Sequence, residues 1–292
     1  MPAPQFWELS VGVPEAISEG LTNFAWEQGA LGVLEEDVGG SARLRAFFPA
    51  AMSVDALAAR LRGYLDGLRA LGLPVCDDAR LAPVADPGWA EAWRDHFRPL
   101  PVGRRLLIAP PWDLPEVPER LTIVIEPGRA FGTGQHGSTA GCLEMLERIA
   151  DRRRPSRALD LGTGSGILAI AAARLGVGHV LAVDDDPDAV ANARANIARN
   201  GVSAAVTCAL GDAGTVDTAR GPLVLANILA SAHARLARAY RDLVAPGGSL
   251  VLGGVLDGEA HETVDLIEAV GFARGSTLSR DGWATLELIR HP

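Results

Sequence analysis

Residues 158–187 constrain this chain more than any other stretch. They run Ala158-Leu-Asp-Leu-Gly-Thr-Gly-Ser-Gly-Ile, then an apolar helical segment, then Ala182-Val-Asp184-Asp-Asp-Pro187. The pattern is an apolar strand ending at Asp160 and Leu161, a loop with Gly162, Gly164 and Gly166, a helix, and a second strand ending in acid. In an open α/β sheet, ligands sit beyond the carboxyl ends of the strands. Glycines let the backbone come close to such a ligand. An acid about 20 residues past the first glycine is placed to accept both hydroxyls of an adenosine ribose. Asp184 is that acid.

The glycine spacing separates the nucleoside cofactors. A dinucleotide fingerprint is Gly-x-Gly-x-x-Gly, because its third glycine lets helix and strand pack closely. Here Ile167 occupies the third-glycine position and the spacing is Gly162-x-Gly164-x-Gly166. Hydrophobic-Asp-hydrophobic-Gly-x-Gly-x-Gly resembles motif I of the class I S-adenosylmethionine (AdoMet) methyltransferases. AdoMet is therefore the expected cofactor, ahead of NAD(P). A ligand-free turn is disfavoured, since three spaced glycines weaken a fold unless something needs them.

The rest of the chain supplies a sheet around this unit and a small module before it. Residues 6–13 alternate like a half-buried strand. Pro14 is expected to open a helix to about Gln28, with Ile17, Leu21, Phe24 and Ala25 on one face. Strands at 30–38 and 42–48 form a hairpin across Gly39-Gly40. Ser53 caps a helix carrying Leu57, Leu61, Leu65 and Leu68, and residues 80–85 are a last strand. The order βαββαβ predicts a ferredoxin-like α+β module. Such modules can bind RNA by stacking bases on alternate aromatics of one strand. Phe47 and Phe48 are adjacent and must face opposite ways, which argues against that role. Recognition of a protein fits better.

Asp86-Pro87-Gly88 marks a boundary, followed by a short helix with Trp89, Trp93 and Phe97 on one stripe, read as interdomain packing. The expected division is 1–86, a linker helix at 87–99, and an α/β domain at 100–292. In that domain, strands at 100–112 and 121–125 flank a proline-rich turn. Helices are expected at about 139–150, 188–200, 231–243 and 259–270. Further strands are expected at 204–210, 223–226 and 249–256, with a closing pair at 273–278 and 283–290.

Composition excludes several classes. A net charge of −9 argues against reliance on phosphate-backbone attraction and favours a basic or neutral partner. No direct sequence-specific nucleic-acid binding is expected. Three well-separated cysteines, Cys76, Cys142 and Cys208, indicate neither a zinc site nor a disulfide framework. No apolar run approaches the ~18 residues of a membrane span. The start Met-Pro-Ala-Pro-Gln-Phe-Trp-Glu has no signal-peptide character, so a cytoplasmic location is expected.

Three features converge on the cofactor crevice. A glycine-rich loop at 126–139, with Thr133-Gly-Gln-His136 before a helix, suggests a segment that folds over a ligand. There Ser138 or Thr139 is either an ordinary N-cap or, with nearby amides at the positive helix end, a holder of the AdoMet carboxylate. Asn227 ends an apolar strand at the carboxyl edge. It reads as an amine-orienting or AdoMet-contacting residue, or else as a turn former. Asp212, after the third strand, is either an adenine contact or a solvated loop acid. His136 is a candidate general base, with loop structure as the competing reading.

Together, Ala130-Phe-Gly-Thr-Gly-x-His136, Leu159-Asp-Leu-Gly-Thr-Gly-Ser-Gly-Ile-Leu-Ala-Ile-Ala and Leu225-Ala-Asn-Ile-Leu-Ala closely resemble the ribosomal protein uL11 methyltransferase family (PrmA) over nearly the whole chain. The second motif alone would give only the superfamily. The resemblance implies a class I methyltransferase Rossmann-like seven-stranded sheet behind the ferredoxin-like domain. It implies methylation of lysine side chains and the N-terminal α-amine of uL11, free or on the large ribosomal subunit, by a protein expected to be monomeric. The small domain would recognise the substrate. Thr139, Gly162, Asp184 and Asn227 carry over as cofactor contacts, and Gly164 belongs to the same loop. Ser138 departs from the second Thr usual in the family but keeps a hydroxyl. The alternatives are an AdoMet-dependent methyltransferase of another amine, or a binding module on a catalytically silent Rossmann-type domain.

Overall fold

The structure, a computed structural model, describes residues 6–14, 17–38, 41–70, 72–76, 78–84, 97–126, 136–216 and 218–292. The chain divides into two compact units, Met1–His96 and Phe97–Pro292. Apart from Phe97, the tryptophan-bearing linker helix expected at 89–97 lies outside the described residues.

The first unit runs β1 (Phe6–Gly12), α1 (Ser18–Glu27), β2 (Gly32–Val38), β3 (Ser41–Pro49), α2 (Val54–Ala70) and β4 (Arg80–Val84). Its four strands pair in the antiparallel order β2-β3-β1-β4, the ferredoxin-like arrangement. Alternation on β3 sends Leu44, Ala46 and Phe48 into the core with Leu9, Leu21 and Leu61. Phe47 faces the other way and is also fully buried. Neither ring is open for a base to stack on, which physically disfavours an RNA platform. On Phe47's side of the sheet, Glu8 takes Arg45 at 2.7 and 3.1 Å, and Glu36 takes it at 3.1 Å. Helix α1 starts at Ser18, later than a Pro14 start predicts, and has no side-chain cap.

The second unit opens on a small sheet of β5 (Leu100–Val102), β6 (Leu106–Ala109) and β7 (Leu121–Val124). Then follow α3 (Gly137–Arg153), β8 (Arg157–Leu161), α4 (Ile167–Arg174), β9 (His179–Asp184), α5 (Pro187–Arg199) and β10 (Val206–Leu210). The chain finishes with β11 (Gly221–Asn227), α6 (Ala230–Leu243), β12 (Val244–Leu256), α7 (Ala260–Glu268), β13 (Phe272–Arg280) and β14 (Trp283–Arg290). The large sheet has order β10-β9-β8-β11-β12-β14-β13. Only β14 runs against its neighbours, which places the last hairpin as expected. Strands β8 and β11, between parallel neighbours, are nearly continuous apolar runs because helices cover both faces. The order reverses at β8 and β11, so the crevice opens where their carboxyl ends diverge. Strand β12 begins at Val244, ahead of Pro246-Gly247-Gly248, rather than at Ser249.

Candidate active site

The carboxyl edge of the large sheet gathers the glycine loop, Asp184 and Asn227. Gly162, Gly164 and Gly166 all adopt positive φ, at 71°, 54° and 83°. The Gly162 and Thr163 amides bond the Val183 carbonyl of β9 at 2.9 and 3.0 Å. A Cβ on Gly162 would lie 2.6 Å from Cγ2 of Ile228, so any side chain there would have to displace Ile228 at the end of β11.

Asp184 closes the loop from the neighbouring strand. Its Oδ2 accepts the Gly164 amide at 2.8 Å and its Oδ1 the Asp186 amide at 3.1 Å. Each carboxylate oxygen keeps a second lone pair, so two adjacent hydroxyls can still be accepted. The Asp212 turn lies next to it, with the Gly211 amide 2.9 Å from the Asp184 carbonyl. Asp212 itself is exposed and its Oδ1 accepts the Gly214 amide at 2.6 Å, which closes that turn.

Two asparagines, Asn196 on α5 and Asn200 at its C-cap, brace the site. Asn196 is buried; its Nδ2 donates to the Ser165 carbonyl at 3.0 Å and its Oδ1 accepts the Glu126 amide at 3.2 Å. Asn200 takes the Val124 amide at 2.8 Å. They anchor the glycine loop and the start of the 126–139 segment. Residues 127–135 of that segment, where a fold-over loop is expected, lie outside the described residues.

Under the glycine loop sits Asp160, 1% exposed. Its Oδ2 accepts the Thr163 hydroxyl at 2.6 Å and the Ala169 amide at 3.1 Å. Burial pushes this carboxyl up to about 6, against the pull of those two bonds. Its Oδ1 is buried and has no partner among the described residues. Asn227 repeats the pattern. Its Nδ2 donates to the hydroxyl of the fully buried Thr139 at 3.1 Å, while its Oδ1 is buried and has no partner among the described residues. Buried acceptors left unpaired are rare and costly. Two of them beside a glycine-lined edge fit a ligand that brings N–H donors and positive charge.

The helix start corrects one expectation. The N-cap of α3 is His136, not Ser138 or Thr139, which lie inside the first turn. His136 Nδ1 accepts the Ser138 amide at 3.3 Å and lies 2.8 Å from Ser138 Oγ, and the ring meets Trp283 edge-on at 4.6 Å. Burial lowers its pKa, with Asp281 opposing. These contacts hold the His136 ring at the start of α3. The first-turn position still brings Thr139 to the positive end of α3.

Behind Asn227, β12 carries Gly253-Gly254. A Cβ on Gly253 would fall 2.7 Å from Asn227 Oδ1, and one on Gly254 2.3 Å from the Ile228 carbonyl oxygen. The Gly253 carbonyl accepts from Nε2 of the fully buried His233 at 2.8 Å. His233 Nδ1 therefore accepts the Tyr240 hydroxyl, also at 2.8 Å. Burial pushes His233 down to about 4, from an ordinary value of 6.5. Between those values the unfolded chain binds a proton that the folded chain refuses. Its contribution is thus complete above about 6.5 and lost as pH falls through 4, amounting to about 3 kcal/mol. Asp160, shifted upward, opposes this in the same window. The stability advantage of the parent over His233→Gln should therefore shrink by about 3 kcal/mol between pH 7 and pH 4, since Asp160 is common to both. Urea unfolding at the two pH values measures it. An unchanged difference would show that His233 titrates freely.

Residues 5–291 match the family model of ribosomal protein L11 methyltransferase (PrmA). The chain belongs to this methyltransferase family. A relative from Pelobacter propionicus named ribosomal protein L11 methyltransferase is 37% identical over 288 residues, covering 91% of this chain and 90% of its own. Another of that name, from Symbiobacterium thermophilum, is 38% identical over 242 residues, 82% of this chain and 78% of its own. Among solved structures, a ribosomal protein L11 methylase from Lactobacillus delbrueckii subsp. bulgaricus is 27% identical with a TM-score of 0.62, covering 67% of this chain and all of that one. Within the PrmA frame, the residues absent from the sequence reading are the braces: Asn196, Asn200, His233 and the Gly253-Gly254 pair. Asn196 alone left a signal, as a polar residue on the inward face of an amphipathic helix.

Proposed function

We propose that this PrmA-family chain transfers methyl groups from AdoMet to lysine side-chain amines and the N-terminal α-amine of ribosomal protein uL11. One observation carries the reading: Asn227, pinned by Thr139, holds a buried acceptor, without a partner among the described residues, at the sheet edge beside Asp160 and the glycine loop. Asp184 would accept the ribose hydroxyls, and Gly162 and Gly164 would let the nucleoside lie against the backbone. Thr139 and the first-turn amides of α3 would face the methionine carboxylate, with Asp160 placed for its ammonium. Asp212 would stand nearest the adenine. The ferredoxin-like unit would recognise uL11, and a monomer working in the cytoplasm suffices for this chemistry.

When bound, AdoMet supplies a methyl group already activated on a sulfonium, so the acceptor need only be a neutral amine held in line. A lysine amine with pKa ~10.4 is about one part in a thousand neutral near pH 7.4, roughly 4 kcal/mol uphill; an α-amine near 7.7–8.0 is far easier. Desolvation at the crevice lowers a lysine pKa. The exposed side chain of Leu229, two residues past Asn227, offers an apolar lip for the lysine stem. Asn227 Oδ1 would then accept the amine hydrogen and aim the nitrogen lone pair.

In this reading no side chain removes the proton. His136→Gln should keep turnover within about threefold, because a true general base is worth about 10²–10⁴. Steady-state methyl incorporation checks this, and a hundredfold loss with intact AdoMet binding would assign the proton to His136. Calorimetric titration with AdoMet and NADH separates the cofactor classes. Mass spectrometry of uL11 after incubation with enzyme and labelled AdoMet tests the substrate, and unmodified uL11 would reject it.

A further inference from the structure

At the amino edge of the large sheet, about 20 Å from Asn227 along the seven residues of β11, four arginines line one cavity of about 560 Å³. They come from separate elements: Arg220 just before β11, Arg238 and Arg241 on α6, and Arg290 at the end of β14. The chain as a whole carries −9, so this concentration of positive charge runs against its average. Asp242 is the single carboxylate of the lining; it is largely exposed and 4.0 Å from Arg220. The C-terminal ends of α6 and α7 meet there, contributing about half a negative charge each. Together with Asp242 they offset about half of the four positive charges and leave an excess.

Two of the guanidinium groups are fixed in place. Arg220 Nε donates to the Asp242 carbonyl at 3.1 Å, and Arg290 Nη1 to the Val244 carbonyl. Arg238 and Arg241 have no acid partner among the described residues. Desolvation and the like charges of Arg220 and Arg241 hold the Arg290 guanidinium below its ordinary range, with Asp242 only partly compensating. A concave site with rigid forks and uncompensated charge suits an anion that takes several bidentate contacts.

We infer that this cavity binds an anion carrying two or more phosphate groups, remote from the methyl-transfer crevice. The volume falls in the range of small-ligand pockets. The same chemistry is presented by a free polyphosphate and by consecutive phosphates of an RNA strand. Titration of the full chain with inorganic pyrophosphate at about 50 mM salt should show saturable binding. The Arg238→Gln/Arg241→Gln double variant should weaken it at least about tenfold while AdoMet binding stays unchanged. No saturable binding by the parent, or equal affinity in the double variant, overturns the inference. If the glutamine pair also lost AdoMet binding, Arg238→Lys/Arg241→Lys decides: weaker pyrophosphate binding with AdoMet retained supports the site, and unchanged pyrophosphate binding rejects it. A short single-stranded RNA that displaces pyrophosphate identifies the backbone as the source; failure to displace it identifies a free anion.

Discussion

Asn227→Ala is expected to lower kcat for methyl transfer by about two to three orders of magnitude, with stability within about 1 kcal/mol of the parent. The asymmetry follows from the two ends of the side chain. Nδ2 donates to the hydroxyl oxygen of the buried Thr139, and its loss removes that one donor. Oδ1 is buried without a partner among the described residues, so its removal offsets part of the lost bond. In the proposed reaction its benefit arises only when an amine is presented. Positioning of a reacting nitrogen is where small displacements cost most. Labelled-methyl incorporation and urea unfolding on the same preparations test both halves. A variant that turned over within threefold of the parent would remove Asn227 from the amine site.

Gly162→Ala is expected to lose about 2–3 kcal/mol of stability and at least about thirtyfold in AdoMet affinity. Two costs combine: a left-handed φ of 71° and a Cβ 2.6 Å from Ile228 Cγ2. Relieving the contact pushes Ile228, and with it Asn227, away from the loop. Gly176→Ala isolates the first cost, because Gly176 has φ 97° and open space where its Cβ would stand. That control should lose about 1–2 kcal/mol and bind AdoMet normally. Calorimetry and urea midpoints on both variants decide. Equal AdoMet affinity in the two would show that backbone strain, not close approach, explains Gly162.

Much of the fold is legible along the chain. The glycine loop, the acid after β9 and the apolar strands β8 and β11 are local patterns, and the structure places them as their spacing predicts. Element ends are less legible. The first helix spans Ser18–Glu27, and ahead of it the Ile17 amide bonds the Pro14 carbonyl at 3.0 Å in a tighter turn. The cap of α3 moved to His136 because capping depends on where the helix begins, and histidine is not a preferred N-cap by type.

By itself, the sequence determined the class of this protein: a methyltransferase-type α/β sheet that follows a ferredoxin-like module in the chain, with Gly162, Asp184 and Asn227 at the ends of its strands. Those features rest on backbone freedom and on periodicities of two and 3.6, which act between near neighbours. Only the tertiary structure joined Thr139 to Asn227 across 88 positions of sequence. It alone set Gly253 and His233 behind that asparagine and brought four arginines to the opposite edge. Contacts between distant segments are fixed by sheet order and packing, and neither leaves a local mark in the residues that make them.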